Sequence, residues 1–385
     1  MCRLYALLGV LMSMVSLQGM AEDESKAYFY TGGYTQQLPP DEKTKEGIGF
    51  WSVDTQSGVL SQESGPWPLP NPSYQALSPN QAFLYSVNEV ANFDGKKDGA
   101  VSAFSVDSKT RELTLLGTVS SNGPIPAFLS VDATGKYMVV ANYTGGNVSV
   151  YPIQADGSLG AATANEQHVG TSIDKSRQEA PHPHSAVLSP DNNFIYVPDL
   201  GLDVIKAYAF DATKGTLVPK PTLDVKTLPG SGPRHLTFDP SGKYAFCALE
   251  MGNRLVSYRY ADGQLTKVGD YSSLPERLKG KSYTSEVRVS PNGKFVYIAN
   301  RGHDSIAGFL LNEETGELMR IQIESVIGKW PRNFAIDPTG RMMVVANQHS
   351  NTLDCLKVDP ETGLLSPTGK QASMPAPAYI CFIQP

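Results

Sequence analysis

The stretch HPHSAVLSPDNNFIYVPDL, residues 182–200, carries the pattern on which the rest of the chain is built. A polar start leads into a short apolar run, a Ser-Pro-Asp-Asn turn, a second apolar run and a polar end. Val, Ile, Tyr and Phe dominate the runs, as residues that pack well on a pleated surface do. Proline sets φ at one corner of the turn, and Gly, Asn or Asp supplies a positive φ at another. The stretch therefore reads as two antiparallel strands joined by a tight turn. It recurs at 72–89, 126–143, 233–250, 285–301 and 331–348. The turns stand at Ser78, Asp132, Ser189, Asp239, Ser290 and Asp337, spaced by 54, 57, 50, 51 and 47 residues. A third strand-like run follows each pair. A weaker fourth follows a Gly-containing turn, as at Thr315-Gly316-Glu317-Leu318. Four short antiparallel strands repeating at about 50 residues are the blades of an all-β propeller.

The two ends of the chain supply one more blade. Residues 377–383 match a first strand, 26–33 a second, 47–54 a third, and 58–60 begin a fourth. Seven blades are therefore predicted, with the N- and C-terminal strands sharing one of them, so that closure leaves no free edge. Stretches 35–46, 167–179 and 271–281 have no strand pattern and read as polar loops that rim a pocket. No helix of useful length is evident.

Residues 1–21 contain one Arg, an apolar run from Leu4 to Leu17 and Gly19-Met20-Ala21 before an acidic stretch. This reads as a secretory signal peptide cleaved after Ala21, with residues 22–385 forming one propeller domain outside the cytoplasm, periplasmic or secreted. The apolar run is too short for a comfortable span, so no membrane association is expected after cleavage. The formal charge is −6 with no basic run, which argues against nucleic acid as a partner. Cys2 lies in the leader. Cys247, Cys355 and Cys381 sit in apolar strands without metal spacing and read as packed thiols. A monomer is expected.

Propeller geometry locates the chemistry. The first strand of each blade lines the axis and the second returns beside it, so first-strand starts and second-strand ends share one face. The starts include Ser73, Ala127, His182-Pro183-His184, Arg234-His235, Ser285-Glu286, Arg332-Asn333 and Ala378. The ends include Asn88-Glu89, Asn142-Tyr143, Asp199, Glu250, Asn300-Arg301 and Asn347-Gln348. Histidine, arginine and glutamate gather there, whereas the opposite turns carry ordinary Ser, Asp, Asn and Gly.

The units His182-Pro183-His184-Ser185, Gly232-Pro233-Arg234-His235, Ser285-Glu286-Val287-Arg288, Asn300-Arg301-Gly302-His303 and Pro331-Arg332-Asn333 resemble the seven-bladed propeller lactonase family. That family includes bacterial 6-phosphogluconolactonases and is similar to fungal 3-carboxymuconate-lactonizing enzymes. The resemblance runs from about Tyr28 to Phe382 and implies a lactonase of carbohydrate metabolism with a small-molecule lactone substrate and no metal or organic cofactor. It places catalytic roles on His184, Arg234, Glu250 and Arg301. His184 or Glu250 would serve as general base and the arginines would hold the oxyanion or an anionic group. His184 is preferred for proton transfer, because a Glu between two Arg has a depressed pKa. His182, Glu286, Arg288, Arg332, Asn333 and Asn142 are candidate substrate contacts, each with a structural alternative. His235 follows Arg234 and is expected to point the other way. Two other readings stay open: a muconate-type lactonizing cyclase, and a non-catalytic exported propeller that binds protein or glycan. A serine hydrolase is disfavoured, since Ser185 lies in no G-x-S-x-G elbow.

Overall fold

The computed structural model describes residues 25–37, 46–277 and 280–384. The expected leader, residues 1–21, lies outside the described residues. Seven antiparallel sheets form among the described residues, six of four strands and one of five. Blade 1 joins the chain ends: Pro377–Phe382 pairs with Lys26–Gly33, followed by Gly47–Asp54 and Leu60–Pro68. Tyr30 faces Cys381 and Thr31 faces Ile380 in that pairing. Blades 2 to 7 then follow in chain order, with second strands Phe83–Asn88, Tyr137–Asn142, Phe194–Asp199, Tyr244–Leu249, Phe295–Arg301 and Met342–Asn347. Helical structure among the described residues is limited to single 3-10 turns at Thr35–Gln37 and Pro221–Leu223.

The repeated turn works by one device with two residue types. Asp239 Oδ1 accepts from the Tyr244 amide at 2.7 Å, and Asp337 Oδ1 accepts from Met342 at 2.6 Å. In the Ser versions the hydroxyl does the same, Ser189 Oγ accepting from Phe194 at 2.9 Å and Ser290 Oγ from Phe295 at 3.0 Å. Either side chain satisfies the first amide of the returning strand. The corner that needs φ > 0 carries Gly in blades 3, 5, 6 and 7 and Asn192 in blade 4. In blade 2 it carries Gln81, at 56°.

Blades bury their faces against each other. A second-strand tyrosine in blades 1 to 6 donates its hydroxyl to a backbone carbonyl at the outer turn of the next blade. The pairs are Tyr30 to Arg111, Tyr85 to Gly157, Tyr137 to Thr213, Tyr196 to Gly263, Tyr244 to Glu314 and Tyr297 to Gly363, at 2.6–3.2 Å. Each ring packs its apolar body between blades while its polar tip stays satisfied. Cys247 and Cys355 are buried, Cys381 is half-buried, and all three are free thiols.

The first strands carry the feature that builds the site. In blades 3, 5 and 7 the pairing slips by one residue at Pro126–Phe128, Pro233–His235 and Pro331–Asn333. The residue before the proline has positive φ at Ile125 (56°), Gly232 (62°) and Trp330 (64°). Such a conformation is uncommon for a β-branched residue like Ile125 and marks a bulge that re-aims the side chains after it. Blade 4 is irregular in another way. Its first strand keeps only Val187–Leu188, because Pro183 and Pro198 remove amide donors from the ladder.

Candidate active site

The first-strand residues form two layers around the axis. The inner layer is a plug. Tyr74 contacts Tyr379 and Phe128 with ring centroids 4.0 and 4.2 Å away, and Phe128 contacts His235 at 5.5 Å. His235 Nδ1 lies 3.2 Å from Glu286, Asn333 hydrogen-bonds Glu286, and Arg288 reaches both Glu286 and the Tyr379 hydroxyl. His235 thus does not point away from Arg234; its Nε2 is 3.1 Å from Arg234 Nη1. The bulge breaks the strict alternation on which the sequence expectation rested. Burial raises the Glu286 pKa, but Arg288 and His235 outweigh it and hold the carboxyl at about 2. Burial and Arg234 push His235 down to about 4. Glu286 therefore binds His235, Arg288 and Asn333 together beneath the mouth.

The outer layer is the mouth. Glu250 stands at its centre and is 3 % exposed. Its Oε2 is 3.0 Å from Arg234 Nε and 2.8 Å from Arg301 Nη2, and its Oε1 accepts from Arg177 Nη2 at 2.7 Å. Burial pushes the Glu250 pKa up, but Arg301, Arg234 and Arg177 overcome it and hold the carboxyl well below the ordinary range. Glu250 is a counter-ion to three guanidiniums and a poor proton acceptor. Arg234 is anchored by Nη1 on the Ser285 carbonyl at 2.6 Å, and Arg301 by Nη2 on the Thr284 carbonyl at 3.0 Å. Among the described residues, Arg234 Nη2 and Arg301 Nη1 take no partner. Burial, Arg301 and Arg332 push Arg234 below the usual guanidinium value, opposed by Glu250, yet it remains a cation at neutral pH.

His184 sits beside this group. Its ring meets Tyr143 and His235 edge-on, each at 5.2 Å. Its Nδ1 is buried and has no hydrogen-bond partner among the described residues. Burial, with Arg234, His235 and Arg332 nearby, pushes its pKa well below the ordinary histidine value. His184 is thus neutral at physiological pH and can accept a proton. Arg332 is half-buried, stacks over the Tyr34 ring at 4.9 Å and makes no hydrogen bond among the described residues. His182 and Asn142 are committed elsewhere. His182 stacks on Tyr143 at 4.5 Å and binds the Tyr143 carbonyl at 3.0 Å and Glu179 at 3.2 Å. Asn142 donates to the Ser121 carbonyl at 2.8 Å, bracing a turn.

Arg177 is the residue that sequence reasoning missed. It lies in the 167–179 loop, whose lack of pattern gave only a rim. The loop is tied down by buried Gln178, which donates to the Leu200 carbonyl at 2.9 Å, and by Ser172, which donates to Asp203 at 2.6 Å. Glu89, Tyr34 and Ser73 are a second polar group on the same face. Tyr34 donates to Glu89 Oε2 at 2.8 Å and Ser73 hydrogen-bonds the same oxygen.

The family described as "Lactonase, 7-bladed beta-propeller" matches residues 28–382. The chain belongs to the seven-bladed β-propeller lactonase family. It is a lactonase-type hydrolase by that membership. The 6-phosphogluconolactonase of Bacillus subtilis is 35 % identical over 356 residues, covering 92 % of this chain and 97 % of the relative. A putative 6-phosphogluconolactonase from Bacteroides fragilis superposes with a TM-score of 0.85 at 32 % identity, covering 94 % of this chain and 99 % of the other. A periplasmic gluconolactonase from Pseudomonas aeruginosa superposes with a TM-score of 0.85 at 31 % identity, covering 93 % and 99 %. No helix among the described residues is long and apolar enough to cross a membrane.

Proposed function

We propose that this lactonase opens a sugar lactone at the mouth built by His184, Arg234, Glu250 and Arg301. The observation that carries the reading is a buried, neutral His184 with an unpartnered Nδ1 beside guanidiniums with unpartnered N–H groups. His184 takes a proton from water as the water oxygen bonds to the lactone carbonyl carbon. The carbonyl oxygen gains negative charge and is held by Arg234, Arg301 or Arg332. The ring C–O bond then breaks, and the protonated His184 returns its proton to the departing alkoxide. Glu250 keeps three cations together without contributing a proton. Its low pKa and that of His184 favour hydrolysis over ring closure, which needs a proton donor at neutral pH.

The leader expected at residues 1–21 and the similar periplasmic gluconolactonase support an exported enzyme. Sugar phosphates are cytoplasmic metabolites, so an unphosphorylated aldonolactone suits that compartment. The test is a lactone panel, with spontaneous opening subtracted. The expected result is catalysed opening of glucono-δ-lactone at least as fast as of its 6-phosphate. Absence of catalysis on both would overturn the proposal.

A further inference from the structure

Glu89 occupies in blade 2 the place that Glu250 occupies in blade 5, directly after the second strand. Its surroundings differ. No arginine makes an ion pair with it among the described residues. Instead, both of its hydrogen bonds, from Tyr34 and Ser73, fall on Oε2. Its backbone is fixed by Asn71, whose carbonyl accepts from the Glu89 amide at 3.0 Å and whose side-chain amide donates to the Glu89 carbonyl at 2.9 Å. Oε1 accepts no hydrogen bond among the described residues. A brace between blades 1 and 2 would engage both oxygens; this carboxylate is pinned by one and presents the other. The Arg332 guanidinium stacks over the ring of the same buried Tyr34, within electrostatic reach of Glu89, and makes no hydrogen bond among the described residues.

A carboxyl acceptor near a guanidinium donor matches a hydroxyl group, which donates to one and accepts from the other. The two ends of the mouth then differ in charge balance. Three guanidiniums surround one carboxylate across blades 4 to 6, while a carboxylate fronts blades 1 and 2. An anionic or charge-developing carbonyl is drawn to the first end, where guanidiniums outnumber carboxylates. The corresponding first-strand positions in blades 1 and 3 are the small residues Ala378 and Ala127, so no further charged side chain enters from them.

We propose that Glu89, positioned by Tyr34 and Ser73 and flanked by Arg332, is a hydroxyl-recognition subsite that selects polyhydroxylated lactones over bare ones. This rests on the lactonase reading above. The full chain is assayed with glucono-δ-lactone and with δ-valerolactone, which lacks hydroxyls. Glu89→Gln is expected to raise KM for glucono-δ-lactone by about 10–100-fold, the worth of a charged hydrogen bond, with kcat nearly unchanged. KM for δ-valerolactone should move less than about 2-fold, because nothing there is left unpaired. Tyr34→Phe, which keeps the carboxylate but removes one pin, should give the same split at smaller size, and it decides the matter should Glu89→Gln fail to fold. Equal losses on both lactones, or an unchanged KM for glucono-δ-lactone, would overturn the proposal. If the parent opens neither lactone, the lactonase reading fails by itself. Calorimetry with 1,5-anhydroglucitol, which has the ring hydroxyls but no carbonyl, then scores the subsite. Weaker binding to Glu89→Gln than to the parent supports it; equal or no binding overturns it.

Discussion

His184→Ala should lower kcat on an accepted lactone by about 10²–10⁴-fold, the usual worth of a positioned general base, while KM changes little. The fold should hold. The imidazole Nδ1 has no hydrogen bond to lose among the described residues, and the blade is anchored instead by backbone bonds such as His184 N to the Pro198 carbonyl at 3.0 Å. A leftover orphan nitrogen in a buried site costs stability rather than adding it. The denaturation midpoint of His184→Ala should therefore stay near the parent's. Full kcat in a folded His184→Ala would place the base elsewhere.

Glu250→Gln should behave in the opposite way. One carboxylate neutralises Arg177, Arg234 and Arg301 at 2.7, 3.0 and 2.8 Å. Removing its charge leaves mutually repelling cations in a buried place. Breaking such a pair from one side costs about 3–5 kcal/mol. Chemical denaturation of Glu250→Gln should show a loss of that order. Arg301→Ala leaves Glu250 still paired with Arg234 and Arg177, so it should lose rate more than stability. A Glu250→Gln variant as stable as the parent would remove the counter-ion role.

The blades were legible because each one repeats the same physical solution: β-branched and aromatic runs, a proline corner, and a Ser or Asp that caps the returning strand. The weak fourth strands, such as Ala164–Gln167 and Thr216–Pro219, form because neighbouring strands supply the pairing that their own sequences barely signal. The face of the site was legible too, since first-strand starts and second-strand ends must meet there. Side-chain direction was not. Strict alternation turned His235 away from Arg234, and the bulge at Pro233–His235 turned it back. Arg177 was hidden because a loop has no period to read; its place is set by Gln178 and Ser172, not by a pattern. Tyr34 and Glu89 meet because the end of the second strand of blade 1 lies beside the end of the second strand of blade 2, a contact between residues 55 apart that no local pattern signals.

The central claim is that a neutral His184 acts as base among guanidiniums. Its folded pKa lies well below 6.5, so the active, unprotonated form is present at and above that pH and is lost only as the pH falls through the lowered value. The most direct measurement is kcat/KM of the full chain on glucono-δ-lactone from pH 5 to 8, with the spontaneous rate subtracted at each point. A rate that is flat from about pH 6.5 upward, with any acid limb lying well below the ordinary histidine pKa, is the expected result. A rate that climbs across pH 6.5–8, or no catalysed rate at any pH, would contradict it.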